Sequence, residues 1–223
     1  MRAYRTLKSA LWLGLAGCIP AFGQQFSPIS TPTASYTGST TLIPITAPDD
    51  TPLTSLTNGT ETITLSTAFY AETVPNFAWN TWGSPPNTES STPRILANFT
   101  PVTSVTLTLS LPAATFGFEV EPDQDGSFPV SVNFYNGSTL LGTVSRNITG
   151  DAGALLMAAS STTPITSVVI TIPAGADGFA MAQFRYANVS SVPTLSTAAF
   201  GALGLLLTGA GALLARARRT AGA

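Results

Sequence analysis

Glu119, Glu121, Asp123 and Asp125 form the densest group of chemically capable side chains in this sequence. On a strand, Glu119 and Glu121 point to the same face, because alternate residues do. Two carboxylates at a fixed gap are what a glycosidase needs, one as acid and one as base or nucleophile. The competing reading, and the favoured one, is a solvated strand edge that runs into an Asp-Gln-Asp-Gly turn. Calcium is the one metal these residues suggest, through the hard oxygens of Glu121, Asp123 and Asp125 on a tight loop, although their spacing matches no complete calcium loop. The sequence has no histidine. That excludes His-dependent serine and cysteine triads and His-ligated zinc or haem sites, and leaves carboxylate chemistry as the only enzymatic route.

A second group is aromatic. Trp79 and Trp82 lie in a Pro- and Asn-rich stretch, 75–86, with Phe77 and Tyr70 nearby. Aromatic rings on a loop can stack on sugar rings, which would make this a ligand-stacking site. The favoured expectation is that both tryptophans plug one end of a β-structure, since Trp brings a large apolar area and a single N–H to satisfy.

These side chains need a scaffold, and its class is written in the punctuation. The runs 61–67, 102–111, 115–121, 129–135, 139–145, 165–172 and 178–186 alternate apolar and polar residues, the period of a strand with one buried face. In the run 102–111, Val105, Leu107, Leu109 and Leu111 are expected inward, with Thr106, Thr108 and Ser110 toward water. Asn136-Gly137-Ser138 between two such runs predicts a hairpin. Several short strands with no helical period between them predict an all-β domain over 58–187, a two-sheet β-sandwich of jelly-roll-like form.

Residues 24–57 are rich in Ser, Thr and Pro and read as an extended lead-in, with 40–45 as an edge strand. Across 24–192 three arginines stand against all eleven acids, a net charge of −8 that repels phosphate backbones and argues against a nucleic-acid partner. The single cysteine, Cys18, leaves the folded domain without a disulfide. Five Asn-X-Ser/Thr triplets, beginning at Asn58, Asn98, Asn136, Asn147 and Asn188, follow from a composition rich in Asn and Thr and carry no weight.

The two ends address the chain. Residues 1–23 read as a signal peptide: Arg2, Arg5 and Lys8, then an apolar stretch, then Ala21-Phe22-Gly23 as the small-residue cleavage site. Leu15-Ala16-Gly17-Cys18 competes as a lipobox with Cys18 as the lipidated residue; the preferred reading leaves Cys18 in the discarded peptide. At the other end a linker, 188–194, leads into a charge-free run, 195–214. Twenty residues at ~1.5 Å each give ~30 Å of helix, the thickness of a bilayer's hydrocarbon core, so this run is expected to be a single transmembrane helix. Arg216, Arg218 and Arg219 in the tail 215–223 act as a basic stop-transfer signal. They place the tail inside and the β-domain outside the cytoplasmic membrane.

Val192-Pro193-Thr194-Leu195, the apolar span and the arginine cluster together resemble the C-terminal sorting tails of the PEP-CTERM class, in its IPTL form, with Val192 standing where that variant has isoleucine. The order of strand sequences between 60 and 187 similarly resembles the exported β-sandwich domains that precede such tails, which are compared loosely with carbohydrate-binding modules. The resemblance implies export through signal peptidase, reading of the tail by an exosortase, and release or re-anchoring at the cell surface. The expected function is therefore a non-enzymatic, membrane-tethered surface or matrix protein with no cofactor. A carbohydrate-binding module facing exopolysaccharide is the alternative, and an acidic-residue hydrolase ranks last.

Overall fold

The computed structural model describes residues 25–98 and 100–189. The expected signal peptide with Cys18, the motif-like stretch 192–195, the apolar run 195–214 and the terminal arginines lie outside the described residues. Among the described residues no helix is long and apolar enough to cross a membrane.

Ten strands form in chain order: β1 (Phe26–Ile29), β2 (Thr41–Ile43), β3 (Thr51–Thr57), β4 (Thr62–Thr73), β5 (Arg94–Ala97), β6 (Ser104–Pro122), β7 (Gly126–Asn136), β8 (Thr139–Gly150), β9 (Leu155–Thr171) and β10 (Phe179–Asn188). A short helix, α1 (Ala34–Ser39), and a 3-10 turn, Ala174–Ala176, complete the described elements. The strands join in one antiparallel sheet with the path β2-β10-β5-β4-β6-β9-β7-β8; β1 adds to β9, β3 to β4, and β10 also pairs with β6. The all-β expectation stands.

The sheet folds over in sandwich fashion because its long strands change partners partway. The first part of β6 pairs with β4 through Leu107 and Leu109, and its last part pairs with β10 from Ala113 to Pro122. Between these parts the β6–β9 register slips, at Thr108/Ala113 and again at Ala113/Thr115. A slip of this kind bends a strand from one layer into the other. The main core lies between the layers, where Phe69, Phe116, Phe118, Phe134, Phe179 and Phe184 are fully buried.

Three expectations need correction. The runs 102–111 and 115–121 are one strand, and Leu111, expected inward, is 41% exposed because the bend at 109–113 takes it out of the alternation that buries Val105, Leu107 and Leu109. The edge strand expected at 40–45 is β2, at the end of the sheet path, but the rest of 24–57 is also part of the fold and no mere lead-in: β1, β2 and β3 all pair with central strands, and Tyr36, Ile43, Ile45 and Leu56 are buried. A domain boundary at 58 would cut the β3–β4 hairpin, whose ladder joins Thr57 to Thr62. Strand β5, too short to show a period, also escaped the pattern. The hairpin expected at Asn136-Gly137-Ser138 is present, with Asn136 opposite Thr139 and Gly137 at a φ of 55°.

Candidate functional site

The last part of β6 is buried on both faces. Phe116, Phe118 and Val120 point into the main core, and Gly117, Glu119 and Glu121 take the opposite face. Small residues dominate that outer face, with Ala97 on β5, Ala158 on β9, and Ala180 and Ala182 on β10. Their low profile leaves room for a second layer. The long connection between β4 and β5 fills part of it with Trp79, Trp82 and Val74, and Tyr36 of α1 packs against Leu156 and Ala158 beside it.

The tryptophans are thus plugs. Trp79 is 5% exposed and Trp82 3%, too little to offer a ring face to a sugar, so the ligand-stacking role for these two is corrected. Their single N–H groups find the acids. Trp82 Nε1 donates to Glu119 Oε2 at 2.9 Å, and Trp79 Nε1 donates to Glu121 Oε2 at 3.4 Å.

The paired glutamates lie on one face as expected, but the solvated strand edge does not exist: both are fully buried. Glu119 Oε1 also accepts the backbone N–H of Glu89 at 2.6 Å. Glu121 Oε1 accepts from the Thr81 hydroxyl at 3.2 Å and from the Gly153 N–H at 3.3 Å. Burial pushes the Glu119 carboxyl up to about 7, against the pull of the Trp82 and Glu89 hydrogen bonds, with the nearby Glu89 charge adding to the rise and Arg185 opposing it. Burial likewise raises Glu121, and its hydrogen bonds from Trp79, Gly153, Ala152 and Thr81 again pull the other way. Among the described residues no arginine bonds either one. Arg185 pairs instead with Glu89, Nε to Oε1 at 2.7 Å, and donates to the carbonyls of Thr37 and Thr40, tying the β4–β5 connection, β10 and α1 together. The Tyr36 hydroxyl, buried behind this pair without a hydrogen-bond partner, is raised by burial and by Glu89. Both carboxyls are engaged by the segment that covers them. This arrangement clamps the connection to the sheet.

The calcium set is not assembled. Glu121 turns into the clamp while Asp123 and Asp125 face solvent, and among the described residues no three acidic side chains come together as a metal site. Burial raises the Asp123 carboxyl, and the charge of Asp177 adds to it. An open cleft of about 240 Å³ adjoins the clamp, lined by Phe77, Asn80, Thr81, Asp123, Asp125 and Asp151 and reaching Trp79 and Glu121 at its clamp side. Phe77 is fully exposed. Asp151 entered through the turn between β8 and β9, and its only mark in the sequence is the Gly-Asp-Ala-Gly punctuation there. Arg185, Glu89 and Tyr36 carried no local signal, because their partners are far away in the chain.

No family model matches this chain, and no curated protein matches it. Among solved structures, a family 6 carbohydrate-binding module aligns at 16% identity with a TM-score of 0.28, covering 52% of this chain and 86% of the module. A carbohydrate-binding module from Cellvibrio mixtus lichenase 5A, in complex with cellotriose, aligns at 10% identity with a TM-score of 0.26 and 64% and 92% coverage. The enzymatically active domain of tailspike protein 4 from bacteriophage CBA120 aligns at 16% identity with a TM-score of 0.28, over 58% of this chain and 19% of that one. At scores this low the likeness carries no argument for fold family or ligand.

Proposed function

We propose that this protein is exported, tethered to the cytoplasmic membrane by a single helix over 195–214, and displays a non-enzymatic, jelly-roll-like β-sandwich outside the cell. The layout of the chain carries this reading. Basic, apolar and small-residue segments precede the fold, and a charge-free run with three arginines behind it follows, bracketing a strand-rich region that starts at Phe26 and ends at Asn188. The hydrogen bonds that engage Glu119 and Glu121 with the segment covering them support the non-enzymatic part. Signal peptidase, the export machinery and membrane lipid are the partners this implies. An exosortase acting at Val192-Pro193-Thr194-Leu195 would release or re-anchor the domain as part of an extracellular matrix.

Protease added to intact spheroplasts of a bacterial host tests the topology. The β-domain should be cut away from the cells while an epitope tag after Ala223 survives. A tag that is lost while the β-domain stays whole would overturn it. A second reading, a carbohydrate-binding module facing exopolysaccharide, is favoured by one observation, the fully exposed Phe77 that helps to line an acceptor-rich cleft.

A further inference from the structure

Phe77 is held in water by residues that are themselves fixed. The Asn76 backbone N–H donates to the Trp79 carbonyl at 2.9 Å, and Asn76 Oδ1 accepts the Trp79 N–H at 2.6 Å. Asn76 Nδ2 donates to Glu72 Oε2 at 2.7 Å, and Glu72 is 1% exposed. The turn is therefore bolted to the sheet through Glu72 and to the small outer core through Trp79, and the ring of Phe77 projects from it with none of its surface covered. Covering a fully exposed aromatic ring is favourable, and with the turn already held the ordering cost left is that of the Phe77 side chain itself.

The cleft that Phe77 helps to line offers hydrogen-bond acceptors without a matching cation. Asp123, Asp125 and Asp151 are exposed and, among the described residues, make no side-chain hydrogen bond or ion pair. The three arginines of the fold are occupied elsewhere: Arg94 with Asp49, Arg185 with Glu89, and Arg146 with the carbonyls of Ser30 and Leu156. Uronate, sulfate or phosphate groups would be repelled. Hydroxyl donors suit the carboxylates, and the apolar C–H face of a sugar ring suits Phe77. At about 240 Å³ the cleft falls below the ~300–1,000 Å³ that enclose drug-sized ligands, which fits one ring of a longer chain passing through an open site.

We propose that this cleft binds one uncharged hexose unit of a polysaccharide, stacked on Phe77 and donating hydroxyl hydrogen bonds to Asp123, Asp125 and Asp151. The proposal rests on the carbohydrate-binding reading and supplies its site. Titration calorimetry on the full chain, in a detergent without a sugar headgroup and with a chelator present, tests it. The probes are hexasaccharides of β-1,4-glucose, β-1,3-glucose and β-1,4-mannose, with an alginate hexasaccharide as the anionic control. At least one neutral probe should bind and the alginate should not. Phe77→Ala should weaken binding about tenfold, the value of a lost aromatic contact, and Phe77→Trp should keep it. Since Phe77 packs against nothing, the alanine variant should unfold at the wild-type temperature. Binding that Phe77→Ala leaves unchanged would overturn the site and spare the carbohydrate reading. Absence of binding by every neutral probe at millimolar concentration would overturn both, as alginate binding or a requirement for calcium would overturn the site chemistry.

Discussion

At Glu119, burial and hydrogen bonding pull in opposite directions, and the balance sets a pH dependence. The folded carboxyl sits near 7 against its ordinary 4.5. A raised carboxyl means that the folded protein holds a proton which the unfolded chain has released, so the associated stability is complete below pH 4.5 and is lost as pH rises through 7. Thermal unfolding should accordingly shift to lower temperature between pH 5 and pH 8, with Glu121 acting in the same direction. Glu119→Gln separates the terms. Its amide must turn an NH2 toward either the Trp82 or the Glu89 N–H, a donor facing a donor, which costs about 1–3 kcal/mol. The variant should therefore melt below wild type at pH 5, and the gap should narrow by pH 8, where wild type carries the buried charge. A gap constant with pH would mean that Glu119 does not titrate in this range. At Gly117 the constraint is steric. A Cβ there would lie 2.2 Å from that of Ala158 and 2.7 Å from the Tyr36 hydroxyl. Gly117→Ala should lower stability by about 1–3 kcal/mol in urea unfolding, through overpacking. Two-residue spacing put both glutamates on one face, and that much was legible; their burial was not, because the covering layer comes from the β4–β5 connection and α1.

Strand β6 shows why alternation locates strands better than it locates their bends. Its first part alternates cleanly, and its second part does not, because both of its faces are covered. The bend between them needs a device to satisfy the backbone where the ladder slips, and fully buried Glu61 supplies it. Glu61 Oε1 accepts the backbone N–H groups of Ser110 at 2.7 Å and Leu111 at 3.1 Å, together with the Ser110 hydroxyl at 2.8 Å. Nothing in the sequence near Glu61 points to a partner on another strand. Its other oxygen, Oε2, is buried without a hydrogen-bond partner. Glu61→Ala should cost about 3 kcal/mol by orphaning the N–H groups at the bend. Glu61→Gln keeps the accepting oxygen, so it should unfold in urea closer to the wild-type midpoint than Glu61→Ala does. Equal losses in the two variants would show that the carboxylate charge, and not acceptance at the bend, holds the corner.

At the scale of the whole molecule, the segment before residue 58 decides where the folding unit begins. Its Ser, Thr and Pro content reads as an extended lead-in with only an edge strand at 40–45, because short strands interrupted by proline show little periodicity and their pairing partners are remote. Phe26 lies opposite Ser161, Leu42 opposite Arg185, and Leu53 opposite Phe69. The segment also closes the core from three sides. Phe26 packs on Phe134 with ring centroids 5.5 Å apart, Ile43 and Leu56 are buried in the main core, and Tyr36 covers Ala158. Removing it would expose these partners and leave β4, β9 and β10 each short of a neighbour. Apolar area exposed at ~25 cal/mol per Å² across several fully buried side chains approaches the entire stability of an ordinary domain, ~5–15 kcal/mol. A chain in which residue 23 is joined directly to Asn58 should therefore fail to fold, giving rapid proteolysis and no cooperative melting transition. A full-length chain treated in parallel should resist the protease across 26–188. If 58–187 were an independent sandwich behind an extended lead-in, the shortened chain would melt cooperatively near the full-length temperature, and the role assigned to β1, β2 and β3 would be wrong.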